Sequence, residues 1–108
     1  MKTLKFKSNL ADMILKGEKT STWRLFDDKD LSVGDEVSFI VQETGETFAK
    51  ALFTNVSEVE FSKMKKEDLE GHEKYQSTEE MLTSFAGYYN KRVTMNTKVK
   101  VIKFELIK

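Results

Sequence analysis

The sequence predicts an α+β fold whose mostly antiparallel sheet closes into a small barrel. Three observations predict it. Alternating apolar and polar residues, the period of half-buried strands, recur at both ends and through the middle of the chain. Only two stretches, residues 9–16 and the segment after Ser77, carry apolar residues at helical spacing. The long stretch from Thr47 to about Glu60 changes apolar parity half-way, as a strand does when it bends around a closed barrel.

The elements follow in order. Leu4 and Phe6 alternate with Thr3, Lys5 and Lys7, giving an edge strand whose lysines discourage pairing with other chains. Ser8 or Asn9 is the expected N-cap of a short helix over 9–16, in which Leu10, Met13 and Ile14 share a face. Gly17 suits the left-handed stop that follows. Thr20 to Trp23 favour a strand. Asp27, Asp28, Lys29 and Asp30 make a polar loop without the spacing of a calcium site. Val33-Gly34-Asp35-Glu36 turns the chain into a strand over Val37 to Val41, and Glu43-Thr44-Gly45-Glu46 is a hairpin turn. The return strand from Thr47 carries an expected bulge between Leu52 and Asn55.

Residues 64–70 form at most one helical turn, and Gly71 to Tyr75 a loop. Ser77-Thr78-Glu79-Glu80 reads as a capping box opening a helix with Met81, Leu82 and Phe85, which Asn90 ends. The last strand, Val99 to Leu106, changes parity at Val101–Ile102 and reads as a second bulge.

Composition narrows the function. At 108 residues the expectation is one domain, and 39% hydrophobic residues supply a modest core. Eighteen Lys plus Arg balance eighteen Asp plus Glu, which excludes a globally basic coat for nucleic acid. The balance is local, not uniform: residues 1–24 carry a net +4, 25–60 a net −7 and 61–108 a net +3. There is no Cys and one His, so no thiol nucleophile, disulfide framework or multi-His metal site is expected. No apolar run reaches the roughly 18 residues of a membrane helix, and the start lacks the apolar core of a signal peptide; a cytoplasmic location is the default.

Chemistry concentrates in Gly17-Glu18-Lys19-Thr20-Ser21-Thr22-Trp23-Arg24. Cationic donors and hydroxyls follow a helix stop within a few residues, a combination suited to a phosphate, a carbonyl oxygen or a base edge. It lacks the glycine spacing of a phosphate-binding P-loop. The competing reading is a solvated edge segment. Trp23 suits either stacking on a base or filling the barrel. His72 is a possible general base or a surface residue. Lys91 and Arg92 suit a basic rim or a solvated helix end.

This segment also carries a resemblance. Gly17, Lys19, Thr22 and Arg24 match the G-x-K-x-x-T-x-R signature of ASCH domains, relatives of the PUA RNA-binding fold. The Val33 to Val37 turn and strand, the Gly71 to Tyr75 loop with the helix from Ser77, and the Val101-Ile102-Lys103-Phe104 strand resemble later landmarks of that family. The resemblance spans nearly the whole chain. It implies a PUA-like barrel of about six strands, two or three flanking short helices, and a cleft floored by the signature residues.

One branch of the family, small amidohydrolases acting on N4-acetylcytidine, is similar in length and motif. The similarity places its Lys, Thr and Glu on Lys19, Thr22 and Glu73, with Glu70 the nearby competitor. The loop and last helix are longer here, and Trp23 stands where that branch carries a smaller aliphatic residue. From the chain alone Glu73 reads as a solvated loop carboxylate; the resemblance reverses that.

In these roles a neutral Lys19 acts as base or nucleophile, Glu73 passes a proton to the leaving amine, and Thr22 orients the amine or the attacked carbonyl. Arg24, Trp23 and Ser21 are the substrate-binding candidates. Lys19 and Thr22 point to opposite faces of a regular strand, so their convergence requires Lys19 to lie in the turn before it. No cofactor or metal is called for. The expected partner is a nucleoside or single-stranded, locally unpaired RNA, with no membrane. Two alternatives are a non-catalytic RNA-binding module and, less favoured, a protein-interaction adaptor using the acidic middle.

Overall fold

The computed structural model describes residues 2–26, 29–72 and 74–107. Its strands are β1 (Lys2–Phe6), β2 (Ser21–Arg24), β3 (Glu36–Val41), β4 (Thr47–Glu60) and β5 (Lys98–Ile107). Its helices are α1 (Ser8–Leu15), α2 (Lys66–Leu69) and α3 (Thr78–Tyr89), with a 3-10 turn at Phe61–Lys63. The strands form one sheet in the order β1-β3-β4-β5-β2. β1 runs parallel to β3, and the other three pairings are antiparallel. The described residues thus supply five strands where the family resemblance implies about six.

The sheet curls until its outer strands face one another. Arg24 Nη2 on β2 donates to the Lys5 carbonyl on β1 at 3.1 Å, across the gap that a barrel would close with ladder bonds. The result is a half-barrel with a seam. The curl is helped by a register shift between Phe53 and Asn55 on β4, where Thr54 is the extra residue, inside the stretch where the parity change predicts a bulge.

The second predicted bulge is not there. From Lys100 to Lys103, β5 keeps continuous register with β2. Val101 and Ile102 are consecutive and both buried because each face of β5 has its own core. Ile102 packs with Leu4, Phe6, Ile14, Phe39 and Phe53 in the half-barrel. Val101 packs with Trp23, Phe61, Phe85 and Val99 under α3. Parity changed because a second layer covers the other face, not because the strand kinks.

Helix ends decide where the chain turns toward the seam. At the start of α1 neither expected cap acts: the N-cap is Lys7, with no side-chain bond of its own. Glu43, from the β3–β4 hairpin turn, accepts from Ser8 N–H at 3.0 Å and from Ser8 Oγ at 3.0 Å. A carboxylate at a helix N-terminus offsets the positive end of the dipole, so a remote residue does the capping. The bonds from the Ser8 backbone and then its hydroxyl hold the Glu43 carboxyl below its ordinary pKa.

At the other end Glu18 N–H bonds to Met13 O at 2.9 Å and Gly17 N–H to Ile14 O at 3.1 Å, with Gly17 at φ +78. This Schellman stop turns the chain sharply into β2. α3 opens on the Ser77 half of the expected capping box, with Ser77 Oγ accepting from Glu80 N–H at 3.1 Å, and ends at Asn90 in the left-handed region. No helix of the described residues is long and apolar enough to cross a membrane.

Candidate functional site

The seam between β1 and β2 opens into a cleft of about 500 Å³, a size that encloses a small molecule. One bank is β2 and the turn before it, contributing Lys19, Thr22, Trp23 and Arg24. The other is the end of β1, with Lys5, Phe6 and Lys7. The loop residues His72 and Tyr75, and Tyr88 and Tyr89 of α3, also line it.

Lys19 and Thr22 both line this cleft because Lys19 lies outside the strand. β2 begins at Ser21, and Lys19 N–H still bonds to the Met13 carbonyl of α1 at 3.2 Å. The helix stop therefore puts Lys19 on the cleft lining, where strand alternation would not. Lys19 is 2% exposed, among the most buried of the large side chains. A lysine that deep in a small domain is costly to desolvate, so its position calls for a reason beyond packing.

The loop after α2 is fastened to β2 through its backbone. Gly71 O accepts from Thr20 N–H at 2.8 Å and Ser21 N–H at 3.1 Å. Ser21 Oγ donates to Glu70 O at 2.9 Å, and Trp23 Nε1 donates to Asp68 O at 3.2 Å. Gly71 sits at φ +76, where a Cβ would come within 2.0 Å of Thr20 Oγ1. Only glycine fits this approach without a shift. The fastening carries His72 onto Trp23, with ring centroids 3.8 Å apart and planes 12° from parallel.

The expected site residues thus divide. Lys19, Thr22, Trp23 and Arg24 line one cleft. Ser21 does not line it; its buried hydroxyl anchors the loop. Trp23 is 4% exposed and lies among His72, Phe61 and Phe85, so its indole is a packing element and not an open stacking platform. Arg24 packs over the Phe6 ring at 4.8 Å while bridging the two sheet edges. Glu73 lies outside the described residues, as do Asp27 and Asp28 of the acidic loop. Its competitor Glu70 does not line the cleft; its side chain is 67% exposed and 4.0 Å from Lys103 Nζ. Lys91 sits 4.6 Å above the exposed Phe26 ring, away from the cleft.

The comparisons with known proteins agree with this architecture. The family model of the ASCH domain matches residues 2–108. The chain belongs to the ASCH domain family. Solved structures share the ASCH fold at low identity. A protein of Enterococcus faecalis superposes with TM-score 0.75 at 17% identity, covering 92% of this chain and 70% of that one. The ASCH domain of Lactobacillus crispatus gives 0.69 at 15%, covering 97% and 79%. A Pyrococcus furiosus protein gives 0.68 at 23%, covering 99% and 97%. A search of the curated proteins finds no match.

The cleft of this ASCH domain also has members that the sequence reading overlooked. Lys5, Lys7, Gln42 and Tyr75 line it. Lys7 Nζ lies 4.9 Å from the Tyr88 ring centroid at its mouth. The signal for Lys5 and Lys7 was present as basic alternation in the first strand. Gln42 had none, because it arrives through the parallel β1–β3 pairing and bonds by its N–H to Phe6 O at 2.8 Å. Among the described lining residues there are four Lys or Arg and no Asp or Glu.

Proposed function

We propose that this ASCH domain is a metal-independent amidohydrolase that removes the acyl group from an N4-acylated cytidine. One observation carries the reading: a lysine buried to 2% exposure, sharing a 500 Å³ cleft with the Thr22 hydroxyl. Exposed lysines serve solubility. A lysine withdrawn from water in a cleft that a threonine also lines suits acid–base or nucleophilic chemistry.

In this reading water attacks the acyl carbonyl carbon, and neutral Lys19 takes the proton that the water gives up. Thr22 donates to the acyl oxygen as negative charge develops there. The C–N bond then breaks, and Glu73, the residue after His72 in the sequence, delivers a proton to the departing N4. Cytidine and the free acid are the products. Arg24, held against β1, reads the base from the side of the cleft.

The test is cytidine release from N4-acetylcytidine by the purified protein. Wild type turns the substrate over, and Lys19→Ala and Thr22→Val do so far more slowly. Absence of turnover by wild type, or equal turnover by Lys19→Ala, ends the proposal.

A second reading is favoured by the charge of the lining. Four basic residues lining one cleft also suit a non-catalytic grip on single-stranded RNA. That reading requires RNA affinity that falls steeply with salt and survives Thr22→Val. The two are separated by measuring turnover and salt-dependent binding on the same preparation.

A further inference from the structure

The edge of β2 that faces the cleft leaves the main-chain donor and acceptor of one residue over. In the pairing with β5, Phe104 N–H donates to Thr20 O at 3.2 Å, and the register runs from Ser21–Lys103 to Arg24–Lys100. An antiparallel ladder alternates, so Thr22 and Arg24 turn their main-chain groups to β5, while Ser21, Trp23 and Leu25 turn theirs outward. The outward partners agree: Ser21 N–H goes to Gly71 O at 3.1 Å and Leu25 N–H to the Tyr89 hydroxyl at 3.0 Å. Between them the N–H and C=O of Trp23 face the seam and find no partner among the described residues. Trp23 lines the cleft even though it is otherwise packed in the core. A strand peptide shielded from water and left unpaired costs free energy that a ligand would recover.

The two neighbours decide what can dock there. A peptide strand adding to this edge needs several consecutive main-chain groups. Here Gly71 occupies one side and Tyr89 the other, which leaves one donor and one acceptor. A flat ring with an acceptor beside a donor fits that opening. The pairing edge of cytosine offers ring N3 as acceptor and N4–H as donor, and acylation at N4 leaves one N4–H in place.

We infer that the main chain of Trp23 reads the pairing edge of a cytosine ring, its N–H donating to N3 and its C=O accepting from N4–H. The inference rests on the cytidine reading above and deepens it. It puts the acylated nitrogen against β2, flanked by the two signature residues Thr22 and Arg24, and it assigns base recognition to backbone that no side-chain substitution removes.

Amide hydrogen exchange followed by NMR on the full chain tests it. In the free protein the Trp23 amide exchanges on the order of 100-fold faster than those of Thr22 and Arg24, which are held in the ladder. Saturation with cytidine slows Trp23 by at least about tenfold. N4,N4-dimethylcytidine, which keeps N3 but has no N4–H, binds roughly tenfold more weakly than cytidine.

Equal protection of the three amides in the free protein overturns the inference. So does cytidine binding that shifts the Lys19 and Arg24 resonances while Trp23 exchange stays unchanged. Protection of Trp23 by cytidine without turnover of N4-acetylcytidine upholds the inference and rejects the hydrolase. Turnover with an unprotected Trp23 amide does the reverse, and no binding of either nucleoside removes both.

Discussion

The two outer strands border the same gap and are finished differently. On β1 the carbonyls of Thr3 and Lys5 are capped by cationic side chains of the same chain, Lys29 Nζ at 2.7 Å and Arg24 Nη2 at 3.1 Å. On β2 the fastened loop takes Ser21 and α3 takes Leu25, and Trp23 is passed over. Side chains seal the first edge from outside. The second is covered by folded elements that stop short of one another. A sealed edge guards against pairing with other chains. An edge covered incompletely, on a cleft that Lys19 also lines, leaves main-chain groups for the proposed ligand.

The largest expected effect sets the two banks against each other. Lys19→Ala on the open bank lowers turnover of N4-acetylcytidine roughly a thousandfold, the scale of a lost general base, with a thermal melt close to wild type. Lys29→Ala on the sealed bank leaves turnover unchanged and shifts stability by no more than about 0.5 kcal/mol. Equal losses in both variants would erase the contrast.

Next comes the fastening of the loop. Gly71→Ala forces a left-handed alanine and crowds Thr20, so urea denaturation shows a loss of about 2 kcal/mol. Thr20→Ala in the same chain returns only the part due to crowding, because the backbone cost stays. A full rescue would show that φ contributes nothing.

A smaller effect follows at the far end of the same edge. Tyr89→Phe leaves the Leu25 N–H without its acceptor and costs about 1 kcal/mol in denaturant midpoint analysis. It also widens the opening at Trp23, so the Leu25 amide exchanges faster in this variant alone.

The smallest effect lies at the sealed bank and depends on pH. Lys2 Nζ donates to Asp35 Oδ2 at 2.7 Å, and Ser32 N–H donates to the same oxygen at 2.9 Å. These bonds, the Lys2 one first, hold the Asp35 carboxyl below its ordinary value of 3.8. A depressed folded-state pKa means that the ionised form stabilises the fold at pH above 3.8, and that the contribution fades as pH falls through the lower folded-state value. The stability gap between wild type and Asp35→Asn is therefore present at pH 6 and closes below pH 3.8. A gap that persists in acid would assign it to packing.

Much of the fold was legible because its signals are local. The Gly17 stop, the Ser77 cap, the Asn90 terminus and the bend near Thr54 each depend on residues close together in the chain. Two readings failed where the cause was remote. The α1 cap comes from Glu43, 35 residues away from Ser8. The parity change at Val101–Ile102 reflects a second apolar layer, supplied largely by α3 and the turn after β4. For the site, the signature segment pointed to Lys19, Thr22 and Arg24, and the family match accounts for most of that. It did not separate Ser21, an anchor for the loop, from its neighbours, because side-chain direction on so short a strand depends on what covers each face.

The amino-acid sequence alone determined the order of strands and helices, the glycine stops and the cluster of amine and hydroxyls after α1, since each arises from neighbouring residues and their backbone preferences. Only the tertiary structure decided that β1 and β2 face each other across a seam, that the loop ending at Gly71 fastens to β2, and that the Trp23 peptide is left open between two covered neighbours. Those outcomes depend on how far the sheet curls, and curl is a sum over all strand pairings that no single segment encodes.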